Sequence, residues 1–89
     1  PEAPPVPELL AASAARFPER PALTFLNRTL RYRELEAEVR RAAAGLRALG
    51  VQAGDRVAIQ LPNLPQAVIA FQAVLWIGAV AVMTNPLYT

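Results

Sequence analysis

Three glutamates at alternate positions, Glu34, Glu36 and Glu38, are the carboxylates that most invite a catalytic interpretation. Two carboxylates can perform general acid–base chemistry when one of them is desolvated, because desolvation raises its pKa. These glutamates are instead interleaved with arginines, and the pairs Glu36–Arg40 (i,i+4) and Glu38–Arg41 (i,i+3) suit the charged side of a helix. We therefore predict a solvated helix face and no catalytic residue in this sequence.

The basic residues of this sequence are all arginines, and the net charge is only +2. An arginine cluster between positions 28 and 41 has the residue type of a nucleic-acid contact, but glutamates are interleaved with it. Tyr32 is the aromatic residue within this cluster that could stack on a base. We predict no nucleic-acid partner. The arginines of the cluster are Arg28, Arg31, Arg33, Arg40 and Arg41.

The residue types that most often bind metals and cofactors are scarce. The sequence has no Cys and no His, which removes thiolate chemistry and the commonest metal ligand and general base. The segment Gly50–Asp55 precedes a predicted strand instead of following one, and its spacing matches neither Gly-rich phosphate-binding pattern. A helix cap and a turn explain this segment and, in the same way, Gly78. We predict no metal ligand and no cofactor-binding residue among these residues.

The second half of the sequence predicts a strand, a helix and a strand, over Arg56–Leu61, Leu64–Ile77 and Ala79–Met83. Two parallel strands joined by a helix form a βαβ crossover, which is almost always right-handed. The strands are apolar almost without interruption, which is typical of a sheet that is covered on both faces. We therefore expect helices above and below this unit and further strands beside it.

The apolar run Ala67–Met83, in which Gln72 is the one polar side chain, also resembles a membrane span. As a single helix it would reach only about 26 Å, against a hydrocarbon thickness of about 30 Å. A buried crossover helix followed by a strand explains the run without a membrane. We predict no transmembrane segment.

The first half of the sequence predicts two amphipathic helices that flank a hairpin. Pro7 suits the first turn of a helix that Pro18 ends, with an apolar stripe of Leu10, Ala14 and Phe17. The hairpin joins Ala22–Leu26 to Thr29–Tyr32 through the loop Asn27-Arg28. The second helix covers Arg33–Leu49 and ends at Gly50, with Val51 placed for the apolar contact of a helix cap. Its predicted core-facing stripe is Leu35, Val39, Ala42, Leu46 and Leu49.

The composition indicates that part of the surface is covered by something else. Hydrophobic residues make up 54% of the 89 residues, against about 45–50% in ordinary globular domains. A chain of this length forms one domain at most and buries a modest core. Further polypeptide, a partner or a membrane could cover the excess apolar surface, and in the chain alone self-association or segment swapping would do so.

Seven short segments stand out by their order and spacing: Phe17–Leu23, Thr29–Leu35, Ala44–Val51, Gly54–Ala58, Leu61–Asn63, Gly78–Val80 and Asn85–Thr89. Together they resemble the start of the adenylate-forming enzymes, a family that includes acyl-CoA synthetases, aryl-CoA ligases, luciferases and peptide-synthetase adenylation domains. The last of them resembles the form common in fatty-acyl-CoA and aryl-CoA ligases, with a lean toward fatty acids at Leu87. The family usually has Thr where this sequence has Arg31, which removes a capping oxygen from the following helix.

The resemblance implies that residues 1–89 are the N-terminal portion of an AMP-binding domain, with residues 1–6 as an extended lead-in. The fold class is then α/β, an incomplete layered sheet with a βαβ crossover, an N-terminal hairpin and two amphipathic helices. The parent would be an ATP-dependent fatty-acid–CoA ligase that uses ATP, Mg²⁺ and CoA at residues outside this sequence, so the fragment alone would be inactive.

The remaining expectations concern surroundings and alternatives. We expect the rest of its own chain to be the main partner of this segment. Residues 1–7 do not form a signal peptide, and we expect a cytoplasmic location. Peripheral membrane contact of the parent stays open. Two alternatives stay open: an aryl-acid–CoA ligase, and a stand-alone module that dimerises through its apolar surface.

Overall fold

A computed structural model describes residues 6–25, 27–61 and 63–83 of this chain. The predicted lead-in residues 1–5 and the segment 85–89 that carries part of the family resemblance lie outside these ranges. The predicted α/β class with a βαβ unit is confirmed: the described ranges form three helices and two separate two-stranded sheets. The elements are α1 (Val6–Arg16), β1 (Pro21–Phe25), β2 (Arg28–Arg31), α2 (Tyr32–Ala48), β3 (Arg56–Ile59), α3 (Leu64–Trp76) and β4 (Val80–Met83).

The predicted crossover joins two parallel strands. β3 and β4 pair from Arg56 opposite Val80 to Ile59 opposite Met83, and α3 packs against both strands. The loops before the two strands are also bonded, since the Gly54 amide donates to the Gly78 carbonyl at 3.0 Å. β3 ends at Ile59, two residues earlier than predicted.

The hairpin is confirmed, but its turn was predicted one residue too late. Phe25 pairs with Arg28, so Arg28 belongs to β2 and not to the loop. The observed register places Thr24 opposite Thr29, with their hydroxyl oxygens 3.3 Å apart, and Leu23 opposite the buried Leu30. The predicted and the observed register both pair apolar residues across the hairpin. Contact of Leu30 with the core therefore selects the observed register.

Helix α1 starts at Val6, which corrects the prediction of an extended lead-in through residue 6. Pro7 is tolerated there because the amide that it lacks would have no partner in the first turn. Leu10 and Ala14 are buried as predicted, whereas Phe17 is only half-buried. The guanidinium of Arg20 lies 4.2 Å from the centre of the Phe17 ring and covers it.

Helix α2 turns a slightly different face to the core than the predicted stripe. Leu35 and Val39 are buried as expected, but Ala43 completes the buried row, while Ala42 and Leu46 are only partly covered. Leu49 was predicted in the core and is 84% exposed. The prediction was wrong because Leu49 is the C-cap residue, after the last helical turn, where helical periodicity no longer decides which way a side chain points.

The end of α2 is capped as the sequence predicts. Gly50 has φ of +97°, its amide donates to the Arg47 carbonyl at 2.9 Å, and the Val51 amide donates to the Leu46 carbonyl at 3.0 Å. This pair of bonds is the Schellman arrangement, in which a left-handed residue satisfies the last carbonyls of a helix. Val51 packs against the core, so the predicted apolar contact is present.

The start of α2 has half of a capping box. The Arg31 amide donates to Glu34 Oε1 at 2.8 Å, but no side-chain bond caps the helix at Arg31, because a guanidinium has no acceptor. The sequence therefore correctly predicted that residue 31 supplies no side-chain oxygen to cap α2. It did not reveal that Glu34, assigned to a solvated face, supplies the reciprocal bond.

Replacing Arg31 with Thr should stabilise the fold by about 0.5–1 kcal/mol, since a hydroxyl oxygen at the N-cap would accept the Glu34 amide and complete the box. The ion pair with Glu19 that the change removes is exposed and 3.7 Å long, so its loss matters little. Urea unfolding measures the difference. Arg31→Val is the control with the same shape and no oxygen, and equal stabilities of the two variants would contradict the explanation.

The bond to Glu34 also predicts a dependence on pH. The Arg31 amide lowers the pKa of the Glu34 carboxyl, and nearby arginines add to the effect. A carboxyl whose pKa is lower in the folded state stabilises the fold above its unfolded pKa of about 4.3, and this contribution is lost as pH falls through the folded pKa.

Glu34→Gln keeps an oxygen that accepts the Arg31 amide but removes the charge. We expect the wild-type chain to be more stable than this variant near neutral pH, and the difference to shrink as the pH is lowered below about 4.3. Urea unfolding of both chains across this range measures it. A difference that stays constant with pH would show that the charge contributes nothing.

A single core joins the three helices and the strands. Val39 of α2 and Val74 of α3 are its fully buried large side chains, and α2 and α3 form the largest helix contact. The apolar run predicted as a buried helix and a strand is α3 and β4. Among the described residues, no helix combines the length and the hydropathy needed to cross a membrane.

Candidate functional site

The glutamates considered for catalysis take part in local pairs on the surface of α2. Glu36 contacts Arg40 at 3.3 Å, and Glu38 contacts Arg41, as the sequence predicts. Glu34 caps the helix. None of the three faces another carboxylate in an apolar pocket, which is the arrangement that acid–base catalysis would require.

The described residues offer no place for the Mg²⁺ or the nucleotide that the family resemblance implies. No group of three or more Asp or Glu side chains within them lies close enough to hold a metal ion. The turns at Gly54 and Gly78 are the glycine turns that a phosphate could approach. They are hydrogen-bonded to each other, because the Gly54 amide donates to the Gly78 carbonyl. The chemistry of these residues therefore does not fit such a group.

A cleft of about 470 Å³ lies between the hairpin and the start of α3. Two of its polar side chains have partners: Asn63 accepts the Gln66 amide at 3.1 Å and caps α3, and Glu38 is paired with Arg41. Asn63 confirms the predicted cap. Asn63 and Glu38 therefore serve the fold, and the cleft marks the junction between the hairpin and α3.

The surface that stands out is apolar and lies on the β3–β4 sheet. Ile59 and Ala79 are buried on the side that faces α3. On the opposite side Val80 and Val82 are 48% and 41% exposed, and Ala58, the partner of Val82, is exposed as well. We call this the open sheet face. Valines on an uncovered sheet face favour a second layer packed against them.

A second apolar feature, the edge groove, runs along β3 on the side away from β4 and encloses about 550 Å³. Leu46 and Leu49 of α2 form one wall, and Leu61 lies at the end of the strand. Leu61 is 43% exposed. The groove is lined by Ala42, Gly45, Leu46, Leu49, Val57, Ala58, Ile59, Gln60, Leu61, Ala70, Ala73 and Val74.

The sequence predicted that some apolar surface needs a cover, but it did not locate that surface. It assigned Leu49 to the core, and it could not tell which side of the strands α3 would occupy. An alternation of exposed and covered residues appears along β4 only after the helix is placed. Among the described residues, the fold thus defines a small α/β layer whose β3–β4 sheet has an uncovered apolar face.

Comparison with known proteins identifies the family. The model of the AMP-binding enzyme family matches residues 10–89. The chain belongs to this family of adenylate-forming enzymes. The match covers the βαβ unit, the hairpin and α2, so the resemblance seen in the sequence is confirmed.

The relatives of this chain include CoA ligases of two kinds. The long-chain-fatty-acid–CoA ligase of Bacillus subtilis (strain 168) is 46% identical over 81 residues, which are 91% of this chain and 14% of that protein. The 4-coumarate–CoA ligase 4 of Arabidopsis thaliana is 44% identical over 62 residues, 70% of this chain and 11% of that protein. The chain thus spans about one seventh of the length of the first relative.

A solved structure shows the same fold within a larger body. The N-terminal subdomain of Klebsiella oxytoca NpsA matches with a TM-score of 0.92 and 36% identity, over 98% of this chain and 23% of that chain. The same subdomain has been solved in complex with 3-hydroxybenzoyl-AMSN. In that neighbour, most of the subdomain lies outside the part that this chain matches.

Proposed function

We propose that residues 1–89 are the N-terminal portion of the AMP-binding domain of an ATP-dependent fatty-acid–CoA ligase. The observation that carries this proposal is the 46% identity to the Bacillus subtilis long-chain-fatty-acid–CoA ligase across 91% of the chain. Such an enzyme joins a fatty acid to AMP with release of pyrophosphate and then transfers the acyl group to CoA. It uses ATP, Mg²⁺ and CoA, and we place it in the cytoplasm.

The role of this chain within the enzyme is structural. Its charged residues are used in helix pairs and caps, and its apolar open sheet face and edge groove point to further layers of the same polypeptide. Positioning of a carboxylate for attack on a phosphate requires a rigid frame, and the buried core of α2, α3 and β3 supplies one. No catalytic step is assigned to a residue of this chain.

The experiment is to read the gene beyond Thr89 and to assay the protein that it encodes. We expect a longer reading frame and formation of acyl-CoA and pyrophosphate from a long-chain fatty acid, ATP·Mg²⁺ and CoA. Calorimetry of the 89-residue chain with ATP·Mg²⁺ should show no binding. A reading frame that stops at Thr89, or a clear binding isotherm for the short chain, would contradict the proposal.

An aryl-acid–CoA ligase is the second candidate, because the chain is also 44% identical to a 4-coumarate–CoA ligase. A panel of fatty acids and hydroxycinnamic acids, assayed with the full-length protein, separates the two. A higher kcat/KM for the aryl acids would replace the fatty-acid assignment and keep the family.

The chain alone would hide its apolar surface by self-association or segment exchange, since Val80, Val82 and Leu49 are exposed together with open strand edges. Size-exclusion chromatography should show species larger than the monomer, with binding of a hydrophobic dye. A clean monomer without dye binding would contradict this. A stable dimer encoded by a gene that ends near Thr89 would favour a stand-alone interaction module.

A further inference from the structure

The cleft between the hairpin and the start of α3, which we call the hairpin cleft, has the size and the lining of a small-molecule site. Its volume of about 470 Å³ lies within the range of about 300–1,000 Å³ that is typical of ligand pockets, which are mostly apolar with a few polar groups. The apolar walls suit an alkyl chain. They are formed by Leu23 and Phe25 of β1, Leu30 of β2, and Pro65 and Ile69 of α3.

Arg28 brings a positive charge to this cleft. Its side chain is exposed, and its guanidinium forms no ion pair with any residue that the structure describes. The charge of Arg28 helps to lower the pKa of the Glu34 carboxyl, but that carboxyl accepts the Arg31 amide. The Arg28 guanidinium can therefore bind a carboxylate from outside through two parallel hydrogen bonds.

The first turn of α3 adds to the positive charge of the cleft. Pro65 and Gln66 line the cleft, and α3 has no acidic residue in its first turn, so the partial positive charge at the helix start is not compensated there. Pro65 has no amide N–H, and the Gln66 amide is bonded to Asn63. These two residues therefore contribute charge, while Arg28 supplies the hydrogen-bond donors.

Apolar walls beside a cation suit an amphipathic anion. Glu38 also lines the cleft, but it is paired with Arg41, so it does not cancel the charge of Arg28. We propose that the hairpin cleft binds a fatty acid, with the carboxylate hydrogen-bonded to Arg28 and the alkyl chain against Phe25 and Ile69. This inference rests on the proposed function for the class of ligand, because a fatty-acid–CoA ligase meets fatty acids in the cell.

Hydrogen exchange of the full-length protein locates the bound ligand. The probe is dodecanoate, added without ATP or CoA so that no acyl transfer occurs. At ten times its Kd, a ligand slows exchange that requires an empty site about tenfold. We expect this slowing at residues 21–31 and 63–69 and none at residues 42–49, which do not line the hairpin cleft. Slowing at residues 42–49 alone, or no slowing, would overturn the proposal.

Substitution of Arg28 tests the contact with the carboxylate. Arg28→Gln should raise the Kd for dodecanoate at least about tenfold, because it removes charge-assisted hydrogen bonds. Dodecanol, which has no carboxylate, should bind the wild type at least about tenfold more weakly than dodecanoate. Arg47→Gln is the control, since Arg47 is exposed and does not line the cleft, and it should leave the Kd unchanged. Equal Kd values for wild type and Arg28→Gln would contradict the proposal.

Substitution of Gln66 tests the cavity. Gln66 is exposed, and its backbone amide, not its side chain, is bonded to Asn63. Gln66→Trp should therefore keep the thermal midpoint of the full-length protein near that of wild type, while the indole fills the cleft and abolishes dodecanoate binding. Gln66→Ala, which leaves the cleft open, is the matched control and should bind as wild type does. Equal binding by the two variants would place the ligand elsewhere and refute the proposal.

The remaining outcomes separate this inference from the proposed function. A full-length protein that prefers aryl acids but binds dodecanoate through Arg28 would revise the substrate and support the cleft site. A protein that forms fatty acyl-CoA without slowed exchange at residues 21–31 would keep the proposed function and overturn the cleft site. Dodecanoate binding by the 89-residue chain that is absent from the full-length protein would show that the enzyme's own polypeptide fills the cleft, which also contradicts the proposal.

Discussion

The variant Val39→Asp should fail to fold, with loss of the helical circular dichroism signal at 25 °C. Val39 is 0% exposed, on the face of α2 that contacts the core. No buried polar or charged side chain is present among the core residues that the structure describes, so a carboxylate there would have no partner. Leaving a charge buried and unpaired costs at least about 3 kcal/mol.

That cost is large for this chain. Domains have about 0.05–0.15 kcal/mol of stability per residue, and two-stranded sheets with open edges add little to it. Urea unfolding followed by circular dichroism measures the effect, with Ala37→Asp as the control. Ala37 is exposed on the same helix, two residues away, so its variant should remain folded. A cooperative transition of wild-type midpoint for Val39→Asp would show that α2 does not pack as described.

The variant Gly78→Val should lower the free energy of unfolding by about 2–3 kcal/mol, because it places a β-branched residue in the left-handed region. Gly78 has φ of +78°, and a Cβ atom built on it would lie 3.4 Å from the Ala53 Cβ. The residue links α3 to β4, and its carbonyl accepts the Gly54 amide. Strain there would loosen both loops that align the two strands.

A comparison with Gly45 tests whether the effect at Gly78 comes from its left-handed backbone conformation. Gly45 lies inside α2, and a Cβ atom added to it would meet nothing within 4 Å. Gly45→Ala should therefore stabilise the chain by about 0.5–1 kcal/mol, while Gly78→Ala should destabilise it by about 1–2 kcal/mol. Urea unfolding of the two alanine variants gives the comparison. The same sign for both would mean that the Gly78 backbone is not held in the left-handed region.

Much of the local structure could be predicted from the sequence because it depends on neighbours within four residues. The cap at Asn63, the left-handed Gly50 and the pairs Glu36–Arg40 and Glu38–Arg41 are all present. Each of these follows from helix geometry alone. The βαβ crossover was also predicted, although its two strands are far apart in the chain, because apolar strands joined by a largely apolar helix have few other arrangements.

The sequence by itself therefore determined the kinds of elements, their order and the family to which the chain belongs. Only the tertiary structure decided which apolar side chains lie in the core. Leu49, predicted in the core, is exposed, and Ala43, outside the predicted stripe, is buried. The hairpin turn lies one residue earlier than predicted, and the open sheet face and edge groove appeared only once α2 and α3 were placed. Burial is set by residues far apart in the chain, and periodicity within one element records which side is apolar without recording what will cover it.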